Sequence, residues 1–353
     1  MAIGVTLFWG GSPLGRRNQH APSLEHQVLS GAQQPHPEAF DRGRDATRPS
    51  EIPAAGWRDV LFRVKRRVAE GNLSIVAAGV AFYALIATFP GLLALREVYG
   101  LVFDPGQLAE QLGFLRRQLE PEANSLVVFL LRGLGESDRA GAGLGIVGGA
   151  LITLWGASLG VRALIRALNV AYDEQEKRSV LLRYGLALLL TTGAISVAFC
   201  IGLVLLSVPL LTRWLELSPL LQRIVFHARW PVVGLMFWLS LLIFYRYGPS
   251  RMPARWSWVS WGALLATATW LAGTGVLAWY VAGSRRYHQA YGSVGIVVLV
   301  LAWFLLSAFA VLLGAEVNGE LERQTRQDTT VGDDKPAGTR GAMVADTLGD
   351  PAS

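Results

Sequence analysis

Apolar residues in this chain come in long unbroken stretches, not in the alternating or three-to-four patterns of half-buried elements. Six stretches stand out, at about 74–95, 143–168, 180–211, 231–247, 258–282 and 294–315. Each has at least the roughly 17–25 residues that a helix needs to cross a hydrocarbon core of about 30 Å. Lipid offers no water to backbone N–H and C=O groups, so spanning segments of this kind must be helical. The pattern predicts an all-α fold, a polytopic membrane helix bundle with about six transmembrane helices.

The polar intervals divide the chain further. Residues 1–52 are rich in Gly, Pro, Gln, His and Arg with little apolar periodicity, and they read as a disordered N-terminal tail. Residues 326–353 are small and polar and read as a disordered C-terminal tail, which leaves 53–325 as the membrane domain. Met1–Gly11 is apolar, but no basic region precedes it and Arg16 and Arg17 come after it, the wrong order for a secretory signal. Trp57–Arg67 has the pattern of an amphipathic helix on the membrane surface, with Arg58, Arg63, Lys65, Arg66 and Arg67 as its charges. In the long interval 96–142, Leu108, Leu112, Leu115 and Leu119 share one helical face, and a second short helix is expected after Pro121. A cap over the bundle is the plainer role for these short helices and a substrate gate the sharper one.

Composition supports the membrane class. Charged residues make up 16% of the chain and hydrophobic ones 52%, whereas soluble domains carry about 25% charged residues. The net charge of +6 raises nucleic acid as a partner, but the cations cluster at the ends of apolar stretches. Besides those at 58–67, they include Arg162, Arg166, Lys177, Arg178, Arg183, Arg246, Arg251, Arg255, Arg323 and Arg326. The positive-inside rule then places both termini in the cytoplasm and 96–142 outside, and membrane lipids rather than nucleic acid become the expected partners. The lone Cys200 lies in an apolar run and excludes an intrachain disulfide.

Candidate chemistry is sparse. Arg162, Arg166, Asn169 and Asp173 fall at i, i+4, i+7 and i+11, one face of a continuing helix. Snorkelling is the plain account of such arginines. The sharper one is a site for an anion or an anionic lipid head group, because the guanidinium fork matches phosphate oxygens in pairs. Tyr172 belongs to the same segment. Glu316 sits near the end of the sixth stretch, where an acid needs a partner; Arg162, Arg166 and Arg246 are at compatible depth. A structural ion pair competes there with a proton-coupled site. Pro90 and Gly91 mark a break or an end in the first span. Gly156 and Gly160 have the four-residue spacing of a tight helix seam, and Tyr291 and Gly292 form a turn before the last span. These six residues are candidates for structural or gating roles. No Cys/His cluster, H-E-x-x-H, P-loop or G-x-S-x-G occurs, so no metal site, cofactor or catalytic constellation is expected.

With these pieces in order, the chain resembles the YihY/BrkB membrane proteins, historically labelled ribonuclease BN-like. The resemblance rests on Ala77–Tyr83 with Phe89-Pro90, on Leu154–Ala157 leading to Ala167–Tyr172, and on Tyr291–Ser293, Trp303 and Leu313–Glu316. It covers about residues 57–322. It implies six helices in a bacterial cytoplasmic membrane and no settled activity. Three readings compete: a transporter or flippase for an anionic amphipathic or lipid-like substrate, a non-transporting envelope protein that organises partners or lipids, and, last, a membrane nuclease.

Overall fold

The chain enters its first long helix round a sharp corner. In this computed structural model, which describes residues 42–102, 143–214, 218–283 and 294–352, helix α1 (Ala54–Glu70) ends at Gly71, and α2 (Leu73–Val102) begins two residues later. Asn72 makes the turn with φ of 53°, a left-handed conformation that Asn tolerates better than most side chains. The two helix axes differ by 65°. That corner lets α1 lie across the end of the bundle while α2 runs along it.

The remaining helices are α3 (Gly143–Ala171), α4 (Val180–Trp214), α5 (Pro219–Tyr247), α6 (Trp256–Gly283), α7 (Val294–Glu322) and the single turn α8 (Met343–Asp346). Five of them are long and apolar enough to cross a membrane, and six spans result when the bent α1–α2 pair counts as one. Two boundaries differ from the apolar pattern. Helix α2 continues through Pro90 to Val102 instead of breaking or ending there. Helix α5 starts at Pro219 and holds Pro231 inside it. Pro at N1 is normal helix entry, and Gln222, Arg223, His227 and Arg229 interrupt the apolar run before Pro231, so counting apolar residues alone makes this span too short.

Helix α7 is the centre of the bundle and packs on α1, α2, α3 and α6. Lipid supplies no hydrophobic drive between helices, so close approach at small residues carries the association. A Cβ on Gly156 would lie 3.0 Å from the Pro90 ring, and one on Gly160 would lie 3.3 Å from the Ala84 backbone, which makes α2–α3 a tight seam. At the α6–α7 seam, a Cβ on Gly262 would fall on the Gly314 carbonyl and the Asn318 side chain. Asn318 spends its amide there: Oδ1 accepts from Gly262 N–H at 2.8 Å, and Nδ2 donates to Val259 O at 3.2 Å. Helix α4 lies at the periphery, with little of its apolar stretch buried.

Residues 42–52, the loops 172–179 and 248–255 and the segment 323–352 gather at one polar end. Composition suggests that 326–353 is a disordered tail, but residues 326–352 are packed there. Arg255 N–H donates to Thr329 O, Val331 N–H to Pro253 O, and Met252 N–H to Gly341 O. Arg340 is the staple, donating to the carbonyls of Lys335, Gln327, Ala345 and Arg326 at 2.5–3.2 Å. Backbone carbonyls gathered on one guanidinium leave no hydrophobic signature, so composition misses the order. Residues 42–52 pack there too, with Arg44 donating to Gly349 O at 2.6 Å. The expected short helices in 103–142, the rest of the N-terminal tail, and Tyr291 and Gly292 lie outside the described residues.

Candidate functional site at the polar end of the bundle

Charges at the polar end form two populations, one paired and one not. The paired group centres on the last turns of α7. Glu320 accepts from Arg63 Nε at 2.6 Å and Arg323 Nη1 at 2.8 Å, and lies 3.2 Å from Arg67 Nε. Asp173 bonds both Arg67 and Arg323. Burial pulls the Asp173 carboxyl upward, but these two guanidiniums outweigh it and hold it below its ordinary value. Glu322 pairs with Arg251 at 2.5 Å. Each of these carboxylates thus has its counter-charge, as the desolvation cost of burial demands.

Glu316 does meet an arginine, at 3.8 Å, but the partner is Arg67 of α1 and not Arg162, Arg166 or Arg246. The corner at Asn72 carries α1 back over α7, a relation that depth along a single helix cannot reveal. Asp173 also leaves the expected stripe. Helix α3 ends at Ala171, and Asp173 has φ of 54°, so its side chain turns away from the Arg162 face.

Asn169 and Tyr172 face protein. Asn169 Oδ1 accepts from Ser250 N–H at 2.7 Å, and its Nδ2 donates to Glu176 at 3.0 Å, which pins the loop after α3 to the loop after α5. Tyr172 is fully buried, with its hydroxyl 3.4 Å from Asn318 Nδ2 and its ring 5.0 Å from the Arg251 guanidinium.

The unpaired group begins with Arg162. Its guanidinium lies 4.8 Å from the Trp155 ring and 5.1 Å from the Tyr184 ring, and those two rings stack at 4.9 Å. Its other contacts are carbonyls of its own helix, Ser158 and Trp155. Arg166, one turn on, is exposed. Among the described residues no carboxylate pairs with either, so ring faces position Arg162 while its charge stays uncompensated. Trp155 is 47% exposed, which puts this cluster on the outer surface of the bundle. Of the residues expected to bind a ligand together, Arg162 and Arg166 share a surface, while Asn169, Tyr172 and Glu316 are turned inward. Pro90, Gly156 and Gly160 meet in the α2–α3 seam, and Gly91 lies within α2.

A second cationic feature is an open pocket of about 380 Å³ walled by Lys177, Arg178, Arg246, Tyr247, Ser250 and Arg251. The sequence flags these cations only as topology signals, because their convergence depends on two loops meeting through Asn169 and Ser250. Among the described residues no group of three His, Cys, Asp or Glu side chains has the arrangement to hold a metal ion.

Comparison with known proteins agrees with this architecture. YfkH of Bacillus subtilis, named provisionally as ribonuclease-like, is 28% identical over 258 residues, covering 71% of this chain and 90% of its own length. UPF0761 membrane protein NTHI0384 of Haemophilus influenzae is 23% identical over 262 residues, covering 73% of this chain and 93% of its own. A UPF0761 membrane protein of Alkalilimnicola ehrlichii is 30% identical over 248 residues, 68% of this chain but 53% of that longer protein. No solved structure matches. The sequence model of the family described as Virulence factor BrkB matches residues 64–338, from α1 into the packed C-terminal segment, and the chain belongs to that family of membrane proteins.

Proposed function

We propose that this protein is a carrier, of transporter or flippase type, for an anionic amphipathic or lipid-like substrate in the bacterial cytoplasmic membrane. The observation that carries this reading is the Arg162 guanidinium, held against the stacked Trp155 and Tyr184 rings on the lateral surface of the bundle with no carboxylate partner among the described residues. A cation near lipid is costly unless it reaches the interface or finds a counter-ion, and an anionic head group supplies one. Arg166 on the same face adds a second fork. The clustering of cations at the polar end supports a cytoplasmic location for that end and for both termini. Impermeant labelling of single cysteines at Ser125 and Ser179, with Cys200 replaced, tests the orientation. Labelling of both from outside the cell contradicts it.

The function test is reconstitution into vesicles carrying a trace of head-labelled phosphatidylglycerol. The protein should expose inner-leaflet label to an impermeant quencher, and Arg162→Ala should slow that exposure severalfold. Quenching limited to the outer leaflet, as in protein-free vesicles, overturns the carrier reading.

A second reading is a non-transporting protein that holds anionic lipids in the envelope. The close α2–α3 and α6–α7 seams favour it, because they are packed by small residues and backbone. Lipid binding without translocation would distinguish it. The ribonuclease-like name stays with YfkH; here Asp173, Glu320 and Glu322 are engaged by guanidiniums, which leaves them poorly placed for acid–base work on RNA.

A further inference from the structure

The pocket between the loop before α4 and the loop joining α5 to α6 is distinct from the Arg162 face. Four cations wall it, and no carboxylate is among its lining residues. Three of them are already matched. Arg178 binds Glu176 at 2.7 Å, Arg251 binds Glu322 at 2.5 Å, and the largely exposed Lys177 lies 3.5 Å from Glu174. Arg246 is the exception. One terminal nitrogen donates to Ala254 O at 2.7 Å and the guanidinium rests 4.2 Å from the Trp256 ring, but no carboxylate pairs with it among the described residues; its Nε–H, like Arg251 Nη1, is buried with no hydrogen-bond partner.

Arginine cannot relieve such a position by losing its proton. The Arg246 charge is therefore permanent and has no carboxylate beside it among the described residues, so an anion in the pocket would supply the counter-charge that its three neighbours already have. A guanidinium fork with a nearby ammonium is the donor set that recognises phosphate oxygens, the fork by paired bonds and the ammonium as a point charge. The pocket volume falls within the roughly 300–1,000 Å³ typical of small-ligand sites. Its rim is apolar: Tyr247, Met252 and the adjoining Trp256 are 43%, 37% and 47% exposed. Aromatic residues of this kind line membrane interfaces.

We propose that this pocket binds a phosphate oxyanion, held by Arg246 and Lys177 and steered by Arg178. A lipid head group and free phosphate share that chemistry. The site is independent of the carrier reading, since a protein that translocates nothing can still hold the anion.

The test is a melting titration of the purified full chain in neutral detergent at fixed ionic strength. One arm adds inorganic phosphate against chloride; the other adds short-chain phosphatidylglycerol against the diacylglycerol of equal chain length. A saturable rise in melting temperature is expected with at least one phosphate-bearing probe, and the arm that responds identifies the source. Arg246→Gln should weaken that binding about tenfold or more, the scale of one lost charge-assisted contact. Lys177→Gln, at an exposed side chain, should weaken it while leaving the protein folded, and it decides the matter if Arg246→Gln does not fold. Arg162→Ala should keep the phosphate-dependent rise that Arg246→Gln loses, which separates this site from the proposed carrier face. No saturable rise with either probe, or parent-like affinity in Arg246→Gln, overturns the proposal.

Discussion

Arg63 Nε donates to Glu320 Oε2 at 2.6 Å, and each side chain is only 3% exposed although 257 residues separate them. The bond fastens helix α1 to the last turns of α7. Arg63 also donates to Gln324 Oε1 at 2.8 Å and to Asp350 O at 2.9 Å, so one guanidinium joins α1, α7 and the C-terminal segment.

Breaking this junction from one side should be expensive. Removing one partner of a buried pair costs about 3–5 kcal/mol, chiefly because a charge is left unpaired. Glu320→Gln and Arg63→Met should each lower the melting temperature in detergent by many degrees. The double variant should lose less than the two single losses added, as expected for residues in direct contact. Glu316→Gln should cost less than Glu320→Gln, because Glu316 has only the 3.8 Å contact with Arg67. Equal melting of parent and Glu320→Gln would show that the junction holds nothing together.

Acid should loosen the same end. Burial raises both carboxyls, but Arg67 and Arg323 hold Asp173 below its ordinary value of 3.8, and Arg178 with the Asn169 amide holds Glu176 below 4.5. A depressed carboxyl contributes its full stability above its unfolded pKa and loses it as pH falls through the folded one. Melting temperature should therefore hold from neutral pH down to the ordinary carboxylate range and then fall. Asp173→Asn should lower the neutral plateau and shrink the acid-side fall. An acid-side fall of unchanged size in that variant would show that Asp173 plays no part in it.

Order in the C-terminal segment should depend on one side chain. Arg340 gathers four backbone carbonyls and is itself buried. Arg340→Ala leaves those acceptors without their donor and should free residues 326–352 for proteolysis while the helices stay folded. Cleavage no faster than in the parent would contradict the staple.

The membrane-spanning part of this fold was legible in six apolar stretches because lipid permits few alternatives to a helix. The polar end was much less so. Arg67 meets Glu316 and Asp173 only because Asn72 turns the chain through the corner before α2, and no periodicity encodes that turn's direction. Residues 326–352 order through carbonyls on Arg340, which apolar counting ignores. The arginines of the expected binding stripe were found correctly as cations on α3. Their companions Asn169 and Tyr172 were not separable from them by spacing. Periodicity gives the face a residue lies on, but not where along that face lipid gives way to the loops after α3 and α5.

The proposed function gives Arg162 and Arg166 an anionic head group as their partner, whereas plain snorkelling would need none. Lysine reaches the interface as well as arginine does but lacks the planar fork, so Arg162→Lys and Arg166→Lys separate the two. The measurement is the amount of anionic phospholipid retained on the purified protein, by native mass spectrometry at matched expression. Retained phosphatidylglycerol should fall several-fold in Arg162→Lys, with a smaller loss in Arg166→Lys. Retention equal to the parent in both variants would contradict head-group binding at this face.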